Sequence, residues 1–446
     1  MYEIMKKFEF TGETKTINLL FGTATLHRIR AVAKFGFVEI GELGGWIEKE
    51  ENLSHEENAW VYGDAKVYGN AEVRDKAEVC GNAIVYGNAK VGENAKVQDK
   101  AEVCGNAIVY GNAKVGEDAE VYDNAEVCGN VIVYGNAEVR EDAEVYDNAE
   151  VCGNAEVCGN AQIYDNAEVY DKAEVYGNAQ IYGNAKVRDD AKVYGKAEVC
   201  GKAGVRGKAE IWDDAKVYDN AIVCEDANVY GNAQIYGNAK VRADAKVYGK
   251  AGVCGKAEVC GNAIVYGNAK IYDNAKVWDD AKVYDNAEVC GNAKVWYDAK
   301  VYGNAKVYSN AEVYSNAKVY DNAKVWEDAI VCSNVKVYGN AIVCGNAKVY
   351  GNAKVYGNAE VCGKAEVCGK AEVFSTRHVL VIGTIGSQDD FATFYRDKDN
   401  EITVKCGYFL DKIDKFLEKV TETHGDSNYA LVCRAAVEAA RLQIDL

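Results

Sequence analysis

The chain of 446 residues contains no proline, where ordinary usage would supply about 22. Without proline, every backbone N–H is available to a hydrogen-bonded ladder. Histidine is nearly missing as well, with only His27, His55, His378 and His424. No threonine occurs between Ala59 and Val373, which excludes the flat threonine ladders that ice binding requires. No run of 18 apolar residues exists to cross a membrane as a helix, and the stretch from Met1 to Phe10 is too charged for a signal peptide, so neither membrane insertion nor secretion by that route is expected. Cations are the minority charge: 51 Lys and Arg stand against 69 Asp and Glu, a net charge of −18 that repels phosphate backbones, and direct nucleic-acid binding is not expected.

What the chain does have is repetition. A hexad, typically Val-Tyr-Gly-Asn-Ala-Lys, recurs 53 times with its first position running from Val61 to Val373 without insertion or deletion. That position is valine except at Ile163, Ile181, Ile211, Ile235 and Ile271, and the fifth is alanine except at Val131 and Val335. A helix would scatter the valines around its surface. In a strand, the alanine and valine of Ala-x-Val point one way and the residue between them points the other. The following Gly-Asn, Asp-Asn or Gly-Lys pair tolerates the left-handed backbone of a sharp corner. Each hexad therefore predicts one three-residue strand and one corner. Residues 77–100, 101–124 and 125–148 are near-copies of 24 residues, or four hexads each, so the hexad is the structural unit.

This pattern resembles the hexapeptide-repeat family, whose motif is an aliphatic first residue and a small fifth. The resemblance implies a left-handed parallel β-helix of about 18 triangular coils, an all-β solenoid forming a rod of about 85 Å. Residues 59–374 form the repeat. Residues 1–58 are expected to make an N-terminal β cap and a degenerate first coil, with Leu43 at the first position and Ile47 and Leu53 at the fifth. Residues 375–446 read as a separate, small C-terminal α+β domain, with strands at Val379–Ile382 and Ile402–Cys406, a helix over 411–424 ending at Gly425, and a second over 428–443 capped by Ser427. The segments from Gly41 to Ser54, Ile382 to Ser387, Cys406 to Phe409 and Thr423 to Asp426 are similar to hexapeptide-repeat proteins of phages and prophages, which carry labels such as transferase or polymer-forming protein on the strength of the repeat alone.

Acyltransferases of this family are implied to use a histidine base and loops that interrupt the coils. All four histidines here lie outside the hexads and no loop interrupts them, so neither that chemistry nor a three-histidine zinc site fits the array. Fourteen of the 16 cysteines occupy the second hexad position, and only Cys344 and Cys362 are 18 residues apart; they are read as reduced corner residues without metal. The same position holds 26 tyrosines and four tryptophans (Trp212, Trp278, Trp296, Trp326), expected to stack along the edges and stiffen the rod. In the C-terminal domain Ser387, Arg396, Cys406 and His424 are the candidates for catalysis or binding, with Cys406 and His424 as a conceivable nucleophile and base.

The outward residue between alanine and valine drifts in charge. Glutamate predominates at Glu120, Glu126, Glu138, Glu144, Glu150, Glu156, Glu168 and Glu174, and lysine at Lys270, Lys276, Lys282, Lys294, Lys300 and Lys306 and onward to Lys354. Such a gradient favours side-by-side association or an oriented partner. The expected function is a non-enzymatic rigid scaffold, spacer or assembly and interaction protein with a protein partner or self-assembly and no cofactor, in a bacterial cytoplasm or a virion. An acidic decoy for a host protein is the alternative, although −18 over about 85 Å is much sparser than the charge of DNA, and an acyltransferase is the third.

Overall fold

A computed structural model describes residues 5–19 and 22–446; residues 1–4 and 20–21 of the expected N-terminal cap lie outside the described residues. The chain forms two compact units, Met1–Glu225 and Asp226–Leu446.

In both units every hexad makes a two-residue strand from its sixth-position residue and the following valine or isoleucine, from Trp60–Val61 to Glu372–Val373. Within each unit, strands of successive turns pair in parallel with the strand 18 residues on, as Lys96 does with Lys114 and Lys282 with Lys300. Three strands per turn give three ladders and, over 53 strands, about 18 turns. The strands are one residue shorter than expected, but the alanine still takes part: Lys96 N–H donates to the Ala113 carbonyl at 2.8 Å. The first-position valines and isoleucines and the fifth-position alanines and valines of the array are all buried, so the interior is built from two inward side chains per hexad.

The corners explain the hexad's polar half. Its third residue has positive φ, 74° at Gly87 and 61° at Asp99. At Gly87 a Cβ would meet the Gly105 carbonyl oxygen at 2.9 Å, which is why glycine is frequent there. Where aspartate stands instead, its carboxylate accepts a backbone N–H from the next turn, as Asp75 does from Glu93 at 2.9 Å and Asp321 from Gly339 at 3.1 Å. Fourth-position asparagines form a further ladder: Asn88 donates to Asn106 and Asn106 to Asn124, both at 2.9 Å.

In the first unit, Phe8–Leu19 and Gly22–Ala31 form an antiparallel hairpin, and Gly22–Ala31 pairs with Leu43–Ile47, which in turn pairs in parallel with Lys66–Val67. The expected frame is two residues out. Ile47 stands opposite Val67 and Leu53 opposite Val73, so both occupy the valine row rather than the alanine row. The pair is itself six residues apart, which hides two extra residues before Val61. Gly44 and Gly45 let this strand close on the first turn: a Cβ on Gly44 would lie 2.7 Å from the Trp60 ring and one on Gly45 2.6 Å from the Ala65 carbonyl. The end is plugged by Lys7, whose ammonium donates to the Ala59 carbonyl at 2.8 Å; burial pulls its pKa down to about 8, against the opposing pull of Glu57.

In the second unit, the last turns carry a four-stranded antiparallel sheet, Val379–Ile385, Asp390–Arg396, Ile402–Cys406 and Phe409–Lys412, followed by α1 (Ile413–His424) and α2 (Asn428–Gln443). Both helices and the Ser427 cap, which accepts from Ala430 N–H, match expectation. Asp390–Arg396 and Phe409–Lys412 were not anticipated. The former lacks alternation because both its faces are buried: Ala392 and Phe394 join Ile413, Phe416 and Val437 in the domain core, while Thr393 and Tyr395 face the solenoid. Thr393 Oγ1 accepts the Glu366 N–H at 2.9 Å, and Tyr395 donates to the Cys368 carbonyl at 3.2 Å. These hydrogen bonds join the C-terminal domain to the last turns of the solenoid.

Candidate interaction surface

Each second-position side chain lies beside the same position one turn away. From Tyr230 to Tyr356 in the second unit, tyrosines at every eighteenth residue stack nearly parallel; Tyr266 and Tyr284 have centroids 4.8 Å apart, as do Tyr284 and Tyr302. Stacking hides the ring faces and leaves the edges outward, so these residues are structural. Burial, reinforced by neighbouring phenols, pushes Tyr284 and Tyr320 up to about 12.

Most array cysteines sit singly in these rows as free thiols, and burial raises several, Cys152 to about 11, which makes them poor nucleophiles. Cys344 and Cys362 depart from the expectation of reduced thiols. They are in register on adjacent turns, Cα atoms 4.5 Å apart, and form a disulfide.

The charged candidates separate onto three ladders. In the first unit Glu126 and Glu144 lie on one and Glu150 and Glu168 on another; in the second unit Lys270 and Lys306 lie on one and Lys276 and Lys294 on another. On these ladders like charges run for no more than two consecutive turns, as at Glu150 and Glu168 or Lys276 and Lys294, and several lysines meet a carboxylate of a neighbouring turn: Lys294 pairs with Glu312 at 2.9 Å, Lys306 with Glu288 at 3.0 Å and Lys186 with Glu168 at 2.6 Å. Within each unit the remaining candidates lie on a third ladder of different character. In the first unit Glu102, Glu120, Glu138, Glu156 and Glu174 stand opposite one another on consecutive turns. In the second unit Lys282, Lys300, Lys318, Lys336 and Lys354 do the same.

These runs are only partly compensated. Arg140 reaches Glu156 at 2.8 Å, and Lys192 holds Glu174 at 2.8 Å. Glu120 has no cation beside it, and burial together with Glu102 and Glu138 raises its carboxyl above the ordinary value. In the lysine run Lys354 meets Glu372 at 2.7 Å, whereas Lys282, Lys300, Lys318 and Lys336 make no ion pair among the described residues. One ladder in each unit is therefore distinguished by a run of five consecutive outward residues of a single sign. The clue in the sequence is the outward residue at every third hexad.

The C-terminal candidates do not assemble. Ser387 is exposed in the turn between the first two strands. Arg396 lies 4.7 Å over the Phe374 ring and donates to the Glu372 carbonyl at 3.2 Å, a contact that helps bind the domain to the last turn. Cys406 packs against the domain core, where burial, with Asp390 next, raises its thiol to about 11. His424 ends α1 with its ring 6.0 Å from Tyr429. No hydrogen bond, ion pair or ring contact joins Cys406 to His424 among the described residues, so the geometry does not make the pair a nucleophile and base. Among the described residues no group of three or more His, Cys, Asp or Glu side chains is placed to hold a metal, and no helix is long and apolar enough to cross a membrane. Compared with protein-family models and with curated proteins, the chain matches neither.

Proposed function

We propose that this protein is a non-enzymatic β-solenoid that serves as a scaffold, spacer or assembly element and binds a protein partner through its single-sign ladders. The observation that carries this reading is the sorting of charge. Lys294 and Lys306 are neutralised by carboxylates of neighbouring turns, while the consecutive lysines Lys282, Lys300, Lys318 and Lys336 have no ion pair among the described residues. Like charges directly opposite one another are destabilising, and an oppositely charged partner relieves that cost. The stacked tyrosines and asparagine ladders supply a stiff support for it. The similarity to hexapeptide-repeat proteins of phages and prophages supplies the setting, a bacterial cytoplasm or a virion.

A second reading, an acidic decoy for a basic host protein, draws on the glutamate run from Glu102 to Glu174. Its charges, one per about 4.8 Å, are sparser than those of duplex DNA at one per about 1.7 Å. Pull-down from a bacterial lysate tests both. A partner retained by the wild type and lost from the Lys300→Glu, Lys318→Glu, Lys336→Glu variant supports the scaffold reading. A nucleic-acid-binding protein lost only when the glutamates are reversed supports the decoy, and equal capture by all three proteins contradicts both.

A further inference from the structure

The lysine run and the glutamate run match each other in ways that neither matches the remaining surface. Each has five members, each member sits on a consecutive turn, and each run is held at the pitch of a parallel ladder, about 4.8 Å per strand. We propose that the partner of the lysine run is the glutamate run of a second copy of this chain. This rests on the interaction reading above and names its partner.

Three physical points carry it. Two ladders built by the same backbone share one spacing, so five ammonium groups can face five carboxylates without accumulating mismatch. The cost is complementary: Glu120 is crowded by Glu102 and Glu138, Lys318 stands between Lys300 and Lys336, and docking replaces each repulsion with an attraction. The other two ladders of each unit hold like charges for no more than two consecutive turns, and several of their lysines are already paired within the chain, as Lys294 is with Glu312 and Lys306 with Glu288. They offer no uninterrupted complement, so register and face are selected together.

Sedimentation velocity of the full chain tests the proposal, at about 0.05 M and about 1 M salt, where the Debye length falls from above 10 Å to about 3 Å. The wild type is expected to associate at low salt and to sediment as a monomer at high salt. Two charge-reversed proteins then decide the partner. One carries Glu102→Lys, Glu120→Lys and Glu138→Lys; the other carries Lys300→Glu, Lys318→Glu and Lys336→Glu. Each alone is expected to lose at least tenfold in self-affinity, and their equimolar mixture to recover it. Glutamine in place of each reversal gives a milder second set should a reversed protein fail to fold, with circular dichroism as the check. A wild type that is monomeric at low salt, association that survives in either variant alone, or a mixture that fails to recover it overturns the proposal. A monomeric wild type that still captures a different protein through the same lysines removes this partner and leaves the scaffold reading standing.

Discussion

Lys300 and Lys318 face each other on adjacent turns with no carboxylate partner, whereas Lys294, one hexad before Lys300, is paired with Glu312 at 2.9 Å. Replacing Lys318 by glutamate would place a carboxylate between Lys300 and Lys336 and turn two repulsive cross-strand contacts into attractive ones. Lys318→Glu is expected to stabilise the second unit by about 0.5–1 kcal/mol at low salt while weakening association. Thermal melting at low and high salt checks this, because the gain should fade as screening rises.

Glu120 carries the converse prediction. Burial and the carboxylates of Glu102 and Glu138 hold its folded pKa above the unfolded value of 4.5, so the native state binds the proton more tightly than the unfolded chain. Its destabilising effect is present in full above the folded pKa and is relieved as pH falls through 4.5. Glu120→Gln is therefore expected to raise stability at neutral pH, with the difference from wild type shrinking toward pH 4, measured by denaturant unfolding across that range.

The tyrosine stacks set an alkaline limit. Phenols such as Tyr284 and Tyr320 titrate near 12 when folded, against 10.0 in the unfolded chain. The stability they contribute is fully present below pH 10 and is lost as pH rises from 10 toward 12, because only the unfolded chain ionises easily in that window. Phenolate absorbance during a pH titration should rise late and together with loss of the β signal in circular dichroism; independent titration near pH 10 with the fold intact would contradict stacking.

Closure of an 18-residue loop by Cys344–Cys362 is expected to stabilise the surrounding turns by about 3 kcal/mol. Alkylation of the denatured, unreduced protein should label 14 of the 16 cysteines. Cys344→Ser should raise amide exchange near residues 344–362 and leave the turns of the first unit unchanged.

The repeat was legible because its period admits a strand and a corner and nothing helical, and the stacking of Tyr266 on Tyr284 follows once one turn spans three hexads. The sorting of charge was not read, because a gradient taken along the chain averages three ladders: Glu120, Glu126 and Glu150 look alike in sequence yet lie on three different ones. Both single-sign runs fall on one 18-residue register of the sequence, so the signal was present. Ile47 and Leu53 misled because their spacing of six preserves the hexad step while shifting its frame. Asp390–Arg396 was invisible because Thr393 and Tyr395 are buried against the last turn, which removes the polar alternation that marks a surface strand.

The central claim is that position on one ladder, rather than net charge, determines association. The most direct measurement compares sedimentation at about 0.05 M salt for the wild type, for the Lys300→Glu, Lys318→Glu, Lys336→Glu variant, and for a protein of equal net charge carrying Lys240→Glu, Lys270→Glu and Lys324→Glu on the other two ladders. Loss of association in the first variant with retention in the second is the predicted result. Equal loss in both, or no loss in either, would contradict it.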